Sequence, residues 1–284
     1  MRVDIGIASY QNPQKLDKTL RLLRRNSVLD WRCFVIDNAS PDPVVRSVIE
    51  RHASEEPRIV PVLRDVNTGY AGAVNTFLEM SETTFVGYLD NDAYVQSHGW
   101  DQALVDPLTK HHELAMTFPN GGSYPIKRSH YTEVLWGVGF CWMLNRQRYV
   151  EIGGMDEEIG HQEEVDFQTR LRLAGWRIAA VPQVNVKHDA TSTMNPASQE
   201  RINNGVINWV NKWAAYFGGK NLNYYSSNVI RFEDWQVNAL YLEEFYMERL
   251  PDLNSSPETI RIEGKDYDLI KVPRYPNLYR NRII

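Results

Sequence analysis

Residues 84–94 read TFVGYLDNDAY. The run Thr84-Phe85-Val86-Gly87-Tyr88-Leu89 is mostly apolar, with β-branched and aromatic members, and reads as a buried strand. It stops at Asp90-Asn91-Asp92, so two carboxylates sit where the strand leaves the core. Like charges repel unless water or a cation neutralises them. The triplet is therefore either a solvated turn, with Asp92 capping a helix, or a clamp of hard oxygens for a divalent ion such as Mg²⁺ or Mn²⁺.

Upstream the same pattern recurs. Val3–Ser9 reads as a strand, and Asn12-Pro13 offers an N-cap and a first-turn proline. Leu16, Leu20 and Leu23 then lie on one helix face. Cys33–Ile36 is a second strand that stops at Asp37. Ser40-Pro41 opens a second helix, with Ser40 as its cap and Val44, Val48 and Ile49 on one face. Ile59–Leu63 is a third strand, Gly69–Met80 a third helix and Phe85–Leu89 a fourth strand. Strands alternating with helices require crossovers and a mostly parallel α/β sheet, in which ligands bind outside the carboxyl ends of the strands. Ser9-Tyr10, Asp37-Asn38, Arg64 and Asp90-Asn91-Asp92 all fall at those ends.

Beyond residue 95 the pattern is mixed. A helix is expected at Trp100–Leu108, a strand at Leu114–Phe118 and a loop at Pro119–Ser123. Trp136–Leu144 reads as extended, Glu164–Leu173 as helix, and Arg177–Val181 and Val184–Lys187 as strands. Ile202–Phe217 is amphipathic and ends at Gly218-Gly219. Phe232–Leu250 reads as an aromatic-rich helix, and Thr259–Ile262 with Tyr267–Val272 as a hairpin around Gly264-Lys265. The aromatics from Trp209 to Tyr246 read as core, with an acceptor platform or a homodimer seam at Tyr224, Tyr225 and Trp235 as alternatives.

The 284 residues carry 31 basic and 36 acidic side chains, a net charge of −5. That balance argues against a large nucleic-acid surface. Cys33 and Cys141 stand apart in apolar surroundings and read as free buried thiols, which suits a reducing compartment. The start MRVDIGIASY is too short in apolar length for a signal peptide, and no run reaches the roughly 18 apolar residues of a membrane span. A cytoplasmic protein without an integral membrane anchor is expected.

Several residues carry two readings. Asp37 forms an Asx turn or accepts hydrogen bonds from a nucleobase or ribose. The glycines of Arg64–Asn75 serve close packing or ligand approach. Trp136 is core or a stacking face. His188 is a satisfied side chain or a metal ligand. Glu163, Glu164 and Asp166 complement a helix dipole or include a general base, with Asp166 placed to pair with Arg170.

In order, the Ser-Tyr strand end, Asp37-Asn38-Ala39-Ser40, Asn67-Thr68-Gly69-Tyr70-Ala71-Gly72-Ala73-Val74-Asn75 and Asp90-Asn91-Asp92 resemble glycosyltransferase family 2, including its rhamnosyltransferase-like members. Gly153-Gly154-Met155-Asp156-Glu157 is similar to that family's Gly-Gly-Phe-Asp-Glu turn, and Glu163–Arg170 to its Glu-Asp-Val-Asp-Leu-x-x-Arg segment. The resemblance spans roughly residues 3–217 and implies the GT-A fold: a Rossmann-like, mixed and mostly parallel sheet flanked by helices. It divides the chain into a catalytic domain, 1–218, and a helical and hairpin extension, 219–284. Residues 1–95 become the nucleotide-sugar half and 96–218 the acceptor half.

The resemblance further implies a metal-dependent, inverting hexosyl- or deoxyhexosyltransferase that uses Mn²⁺ or Mg²⁺ and a UDP-, GDP- or dTDP-sugar. Ala8, Tyr10, Asp37, Arg64, Asn67, Gly69, Gly72, Asp90 and Asn91 would face the donor. Asp92, Asp90 and His188 would hold the metal, and Trp136 and Gly137 would line the acceptor side. The base falls on Glu164, with Glu163 as the other candidate, because Glu164 stands where the family has Asp. A saccharide or glycoconjugate acceptor follows by analogy. The alternatives are a catalytically silent nucleotide- or sugar-binding protein, and a transferase acting on a modified nucleic-acid base.

Overall fold

The computed structural model describes residues 1–123, 126–134 and 136–189, helical positions 204, 205, 208 and 212, and strands at 259–262 and 265–268. The first half runs β1 (Arg2–Ser9), α1 (Pro13–Asn26), β2 (Asp30–Asp37), α2 (Pro43–Glu55), β3 (Ile59–Leu63), α3 (Gly69–Met80) and β4 (Phe85–Asp90). It continues through β5 (Ala93–Val95), α4 (Trp100–Lys110), β6 (Leu114–Pro119), β7 (Gly122–Ser123), β8 (Ile126–Lys127) and β9 (Thr132–Glu133). Then come β10 (Trp136–Gly137), β11 (Cys141–Asn145), α5 (Arg146–Ile152), α6 (Glu163–Leu173), β12 (Arg177–Val181) and β13 (Val186–His188).

Nine strands form one sheet in the order β3-β2-β1-β4-β11-β6-β12-β9-β8. The first four are parallel. β11 runs antiparallel between β4 and β6, and β12 is again parallel to β6. From β1 the chain winds outward to β2 and β3, then returns to place β4 on the other side of β1. This reversal opens a crevice between β1 and β4 at their carboxyl ends, the place where doubly wound sheets bind ligands.

Alternation along each strand divides the core between the two faces. Val3, Ile5 and Ile7 of β1 cluster with Leu16, Leu20 and Leu23 of α1, Ile49 of α2 and Leu104 of α4. Phe34, Val86, Tyr88 and Trp142 point the other way, to Phe77 of α3, Tyr149 of α5 and Phe167 of α6. A Cβ on Gly6 would lie 2.4 Å from the Phe77 ring, so glycine there lets α3 lie close against β1. Cys33 and Cys141 are free, buried thiols.

Some elements differ from the sequence expectation. Asn12 precedes α1 with φ 53° and makes no side-chain cap. Its carbonyl instead accepts the Lys15 and Leu16 N–H groups. α2 starts later than Ser40-Pro41 suggests. Asp42 is the cap, accepting from Val44 N–H, and Pro43 is the first-turn proline. The Ser40 hydroxyl accepts from Gln11 N–H instead. Val45 therefore enters the core and Val44 is exposed. Trp136–Leu144 is not one strand but β10 and β11, separated by residues 138–140.

Toward the C-terminus, the amphipathic run Ile202–Phe217 is described only at helical positions 204, 205, 208 and 212, and Phe232–Leu250 lies outside the described residues. Of the 219–284 extension only β14 (Thr259–Ile262) and β15 (Lys265–Asp268) are described; they pair antiparallel, with β15 starting two residues before the expected Tyr267.

Candidate active site

β4 pairs with β1 so that Asp90 lies opposite Ala8, and β1 pairs with β2 so that Ser9 lies opposite Asp37. The register alone sets these residues along one crevice. The Tyr88 hydroxyl donates to Asp90 Oδ1 at 2.7 Å, and Asp90 N–H donates to the Phe140 carbonyl at 2.9 Å. After Asn91-Asp92 the chain enters β5, which pairs with β13 so that His188 faces Ala93. This short ladder brings His188 Nε2 to 3.1 Å from Asp92 Oδ1 and 3.4 Å from Asp90 Oδ2. The Phe140 ring stacks on the imidazole with centroids 4.5 Å apart.

Asp90, Asp92 and His188 present three ligand atoms within 4.8 Å of one another, a donor set that fits a divalent cation. Burial pulls the His188 imidazole down, but its hydrogen bonds to Asp90 and Asp92, and their charges, outweigh burial and raise it to about 9.

The other donor-side residues collect at the same edge. Asp37 is buried, and its Oδ1 accepts the Ser40 N–H at 3.2 Å, three residues on rather than the two of an Asx turn. Asn38 Nδ2 donates to Asn67 Oδ1 at 2.8 Å and to the Gly69 carbonyl at 2.9 Å, while its Oδ1 accepts from Thr68 N–H. These bonds pin the loop before α3 to the end of β2. Gly69 holds φ 71°, which suits glycine. Tyr10 is exposed and Ala8 half-buried. Asn91 Nδ2 donates to the Gln11 carbonyl at 3.3 Å.

Two candidates engage α3 itself. Arg64 Nη1 donates to the Gly72 carbonyl and the Thr76 hydroxyl. A Cβ on Gly72 would lie 2.4 Å from Thr68 Oγ1, so this glycine makes room for a side chain of the chain itself.

Glu163 and Glu164 open α6. Glu163 is buried and Glu164 half-buried. The Glu164 side chain lies over Gly139, where a Cβ would come within 2.9 Å of its Cγ and 3.2 Å of its Oε1. Burial first, then the charges of Glu163 and Asp90, push the Glu164 carboxyl up to about 7, against a backbone hydrogen bond that lowers it.

An aromatic wall completes this part of the crevice. Tyr88 stacks on Trp142 at 5.2 Å and meets Tyr70 edge-on at 5.3 Å. Trp142 Nε1 donates to Tyr70 Oη, and the Tyr70 hydroxyl lies 3.3 Å from the Gly139 carbonyl it donates to. Tyr70, Tyr88, Phe140 and Trp142 were given no role from the sequence. Tyr88 carried one signal: it lies two residues before Asp90 and so shares its strand face.

Trp136 and Gly137 are packed rather than open. Trp136 is buried and its Nε1 donates to Thr169 Oγ1 at 3.3 Å, which is the core reading. Gly137 N–H donates to Gln168 Oε1 at 2.7 Å, and a Cβ there would lie 2.1 Å from the Phe118 ring. Asp166 pairs with Arg170 at 2.8 Å, as its helical spacing suggests, and also with Lys212 at 2.8 Å. Arg170 also donates to the Ile152 and Gly154 carbonyls, which fixes the Gly153–Glu157 turn against α6.

The sheet order, the crevice at its switch point and the acid–histidine cluster there define a GT-A-type α/β protein. The chain belongs to glycosyl transferase family 2, whose sequence model matches residues 4–156. It is 25% identical over 209 residues to the succinoglycan biosynthesis protein ExoM of Rhizobium meliloti (strain 1021), covering 64% of this chain and 65% of ExoM. The chain spans less than two thirds of the length of the curated relatives it matches.

Among solved structures, the mannosyltransferase PcManGT from Pyrobaculum calidifontis, in complex with GDP-Man and Mn²⁺, superposes with a TM-score of 0.61 at 16% identity, over 72% of this chain and 61% of that one. GalNAc-T7 with UDP, GalNAc and Mn²⁺ gives 0.64 at 12% identity, over 88% and 56%. These likenesses show the fold. Among the described residues no helix is long and apolar enough to cross a membrane.

Proposed function

We propose that this chain is a metal-dependent, inverting glycosyltransferase that moves a sugar from a nucleotide-sugar donor to a hydroxyl of a saccharide or glycoconjugate. The observation that carries the reading is the Asp90–Asp92–His188 cluster at the carboxyl end of β4, with the Glu164 side chain lying over Gly139, next to the Phe140 carbonyl that accepts the Asp90 N–H. In this reading residues 1–95 bind the donor, with Asp37 and Tyr10 beside the nucleobase and Asn67, Gly69 and Asn91 around the nucleotide, and residues 96–218 present the acceptor. Asp90, Asp92 and His188 hold the ion; two carboxylates and an imidazole suit Mn²⁺, and Mg²⁺ less well because it prefers oxygen. A divalent cation there supplies Lewis-acid neutralisation of the diphosphate leaving group.

The chain's own groups do the rest. Glu164, held near pKa 7, takes the proton of the acceptor hydroxyl. The acceptor oxygen bonds to the anomeric carbon from the face opposite the diphosphate. The bond from that carbon to the diphosphate oxygen breaks, and the nucleoside diphosphate leaves with the electron pair. Tyr88, its ring stacked on Trp142, holds Asp90 through its hydroxyl. The name of ExoM supports a polysaccharide acceptor, and the nucleotides and Mn²⁺ carried by the two structural neighbours support the donor class.

The test is release of nucleoside diphosphate from a panel of UDP-, GDP- and dTDP-sugars with Mn²⁺ and oligosaccharide acceptors. One donor is expected to turn over, and Asp92→Ala to abolish turnover in a folded protein. Full activity of Asp92→Ala would remove the metal assignment. Donor binding without release to any acceptor would favour a silent nucleotide-binding protein.

A further inference from the structure

Lys15 lies in the first turn of α1, outside every motif of the family resemblance. Its Nζ is 3.5 Å from Asp92 Oδ2 and 3.5 Å from Asp189 Oδ1, and it donates to the Asp189 carbonyl. Asp189 follows β13 directly, so this one ammonium ties α1 to both strands of the β5–β13 ladder. The Tyr94 hydroxyl also reaches Asp189, at 3.4 Å from Oδ2, and Lys18 lies over the Tyr94 ring at 3.9 Å.

Asp92 is therefore shared. Its Oδ1 faces His188 and the cation cluster, and its Oδ2 faces Lys15. The Lys15 and Asp92 side chains are 17% and 14% exposed, so water screens this pair much less than it screens a surface pair. A dication held by Asp90, Asp92 and His188 would share the Asp92 carboxylate with a fixed positive charge on Lys15. That charge repels the ion and draws electron density from its ligand.

We propose that Lys15 is the resident counter-ion of the Asp90–Asp92–His188 cluster and holds down its affinity for a divalent cation until a nucleoside diphosphate arrives. The diphosphate brings negative charge that offsets the ammonium and oxygens that complete the ion's shell. Cation and nucleotide then bind as one coupled event. The inference rests on the metal-site reading of the proposed function. It differs in sign from a purely structural role. If Lys15 only oriented Asp92, its loss would weaken cation binding; as a counter-ion, its loss strengthens it.

The experiment titrates Mn²⁺ into the full chain and reads free Mn²⁺ by electron paramagnetic resonance, with and without UDP, GDP or dTDP. Lys15→Met keeps the aliphatic stem and removes the charge, Lys15→Gln is a second neutral variant, and Lys15→Arg keeps the charge. Without nucleotide, both neutral variants are expected to bind Mn²⁺ tighter than the unmodified chain by about tenfold, within the usual range of coupling factors. Lys15→Arg is expected to stay near the unmodified value. The gain in Mn²⁺ affinity on adding nucleotide should shrink in the neutral variants. Equal or weaker Mn²⁺ binding by a folded neutral variant overturns the counter-ion role while leaving the metal site standing. No Mn²⁺ binding by any form, with any of the three nucleotides, overturns the metal-site reading and this proposal with it.

Discussion

Glu164 faces two opposing demands. A base poised near neutral pH needs a carboxyl held well above its ordinary range, and the same burial that holds it there makes its charged form unfavourable in the folded protein. Its folded value, about 7, lies above the unfolded value near 4.3. The folded state thus binds the proton more tightly. Nothing is lost below about pH 4, stability falls as the pH rises between the two values, and the full cost stands above about 7. At about 1.4 kcal/mol per unit, that cost is no more than about 4 kcal/mol, and less because water reaches this half-buried side chain. Glu164→Gln is therefore expected to unfold at a higher temperature than the unmodified chain at pH 8 and at the same temperature at pH 4. Thermal melts at the two pH values check this; coincident melts at pH 8 would remove the burial argument. The same variant should keep donor binding and lose about 10²–10⁴ in turnover, the usual worth of a positioned base.

At the scale of elements, the link between β10 and β11 sets the room in which Glu164 sits. A methyl at Gly139 would meet the Glu164 side chain at 2.9 Å. The atom met first is Glu164 Cγ, so the whole carboxyl arm has to turn, and Gly139→Ala should cost about 1–3 kcal/mol of stability. A base moved by an ångström loses on the order of 10²-fold in turnover. Turnover that stays normal in the folded variant would place the base elsewhere. Arg170 bears on stability. It is buried against Asp166 and the carbonyls of Ile152 and Gly154. Arg170→Ala leaves a buried carboxylate short of a partner, and about 3–5 kcal/mol of stability is expected to go, read by denaturant titration. A loss under about 1 kcal/mol would show that Lys212 alone satisfies Asp166.

Legibility in the sequence obeys the same physics. The first four strands were readable because each is an apolar run that meets a polar or charged residue at the sheet edge: Ser9, Asp37, Arg64 and Asp90. The start of α2 was not, because Ser40-Pro41 and Asp42-Pro43 are both a cap followed by proline. What decides between them is the Gln11 N–H, which takes the Ser40 hydroxyl from a distant loop. β5 has three residues, too few for a period, and although a strand was readable at Val184–Lys187, nothing local shows that β13 pairs with β5 and so carries His188 to Asp92. Trp136 offered no local sign of which face it takes; its burial against Thr169 is a tertiary outcome.

For the whole molecule, the sheet works as a frame that joins two sets of groups from the two halves of the chain. The parallel half delivers Asp37, Asn67, Asp90 and Asp92 to one edge, and the antiparallel β11 lets the chain cross to the α6 side and return through β13 with His188. Neither half holds the cation cluster alone, because Asp90 and Asp92 come from the first and His188 from the second. A ligand that bridges the cluster and the nucleotide edge should therefore stabilise the frame as a unit. At about 100 times its Kd such a ligand adds about 2.7 kcal/mol, and for a chain of this size each kcal/mol raises Tm by about 2–4 °C. We expect a shift of several degrees only when Mn²⁺ and one of UDP, GDP or dTDP are present together, and little with either alone. His188→Ala should lose the joint shift, and its melt without ligands should fall at neutral pH, because the protonated imidazole held by Asp90 and Asp92 stabilises the fold. A joint shift that survives in His188→Ala would restrict the ion to Asp90 and Asp92, and would mean that the returning strand contributes position without ligation.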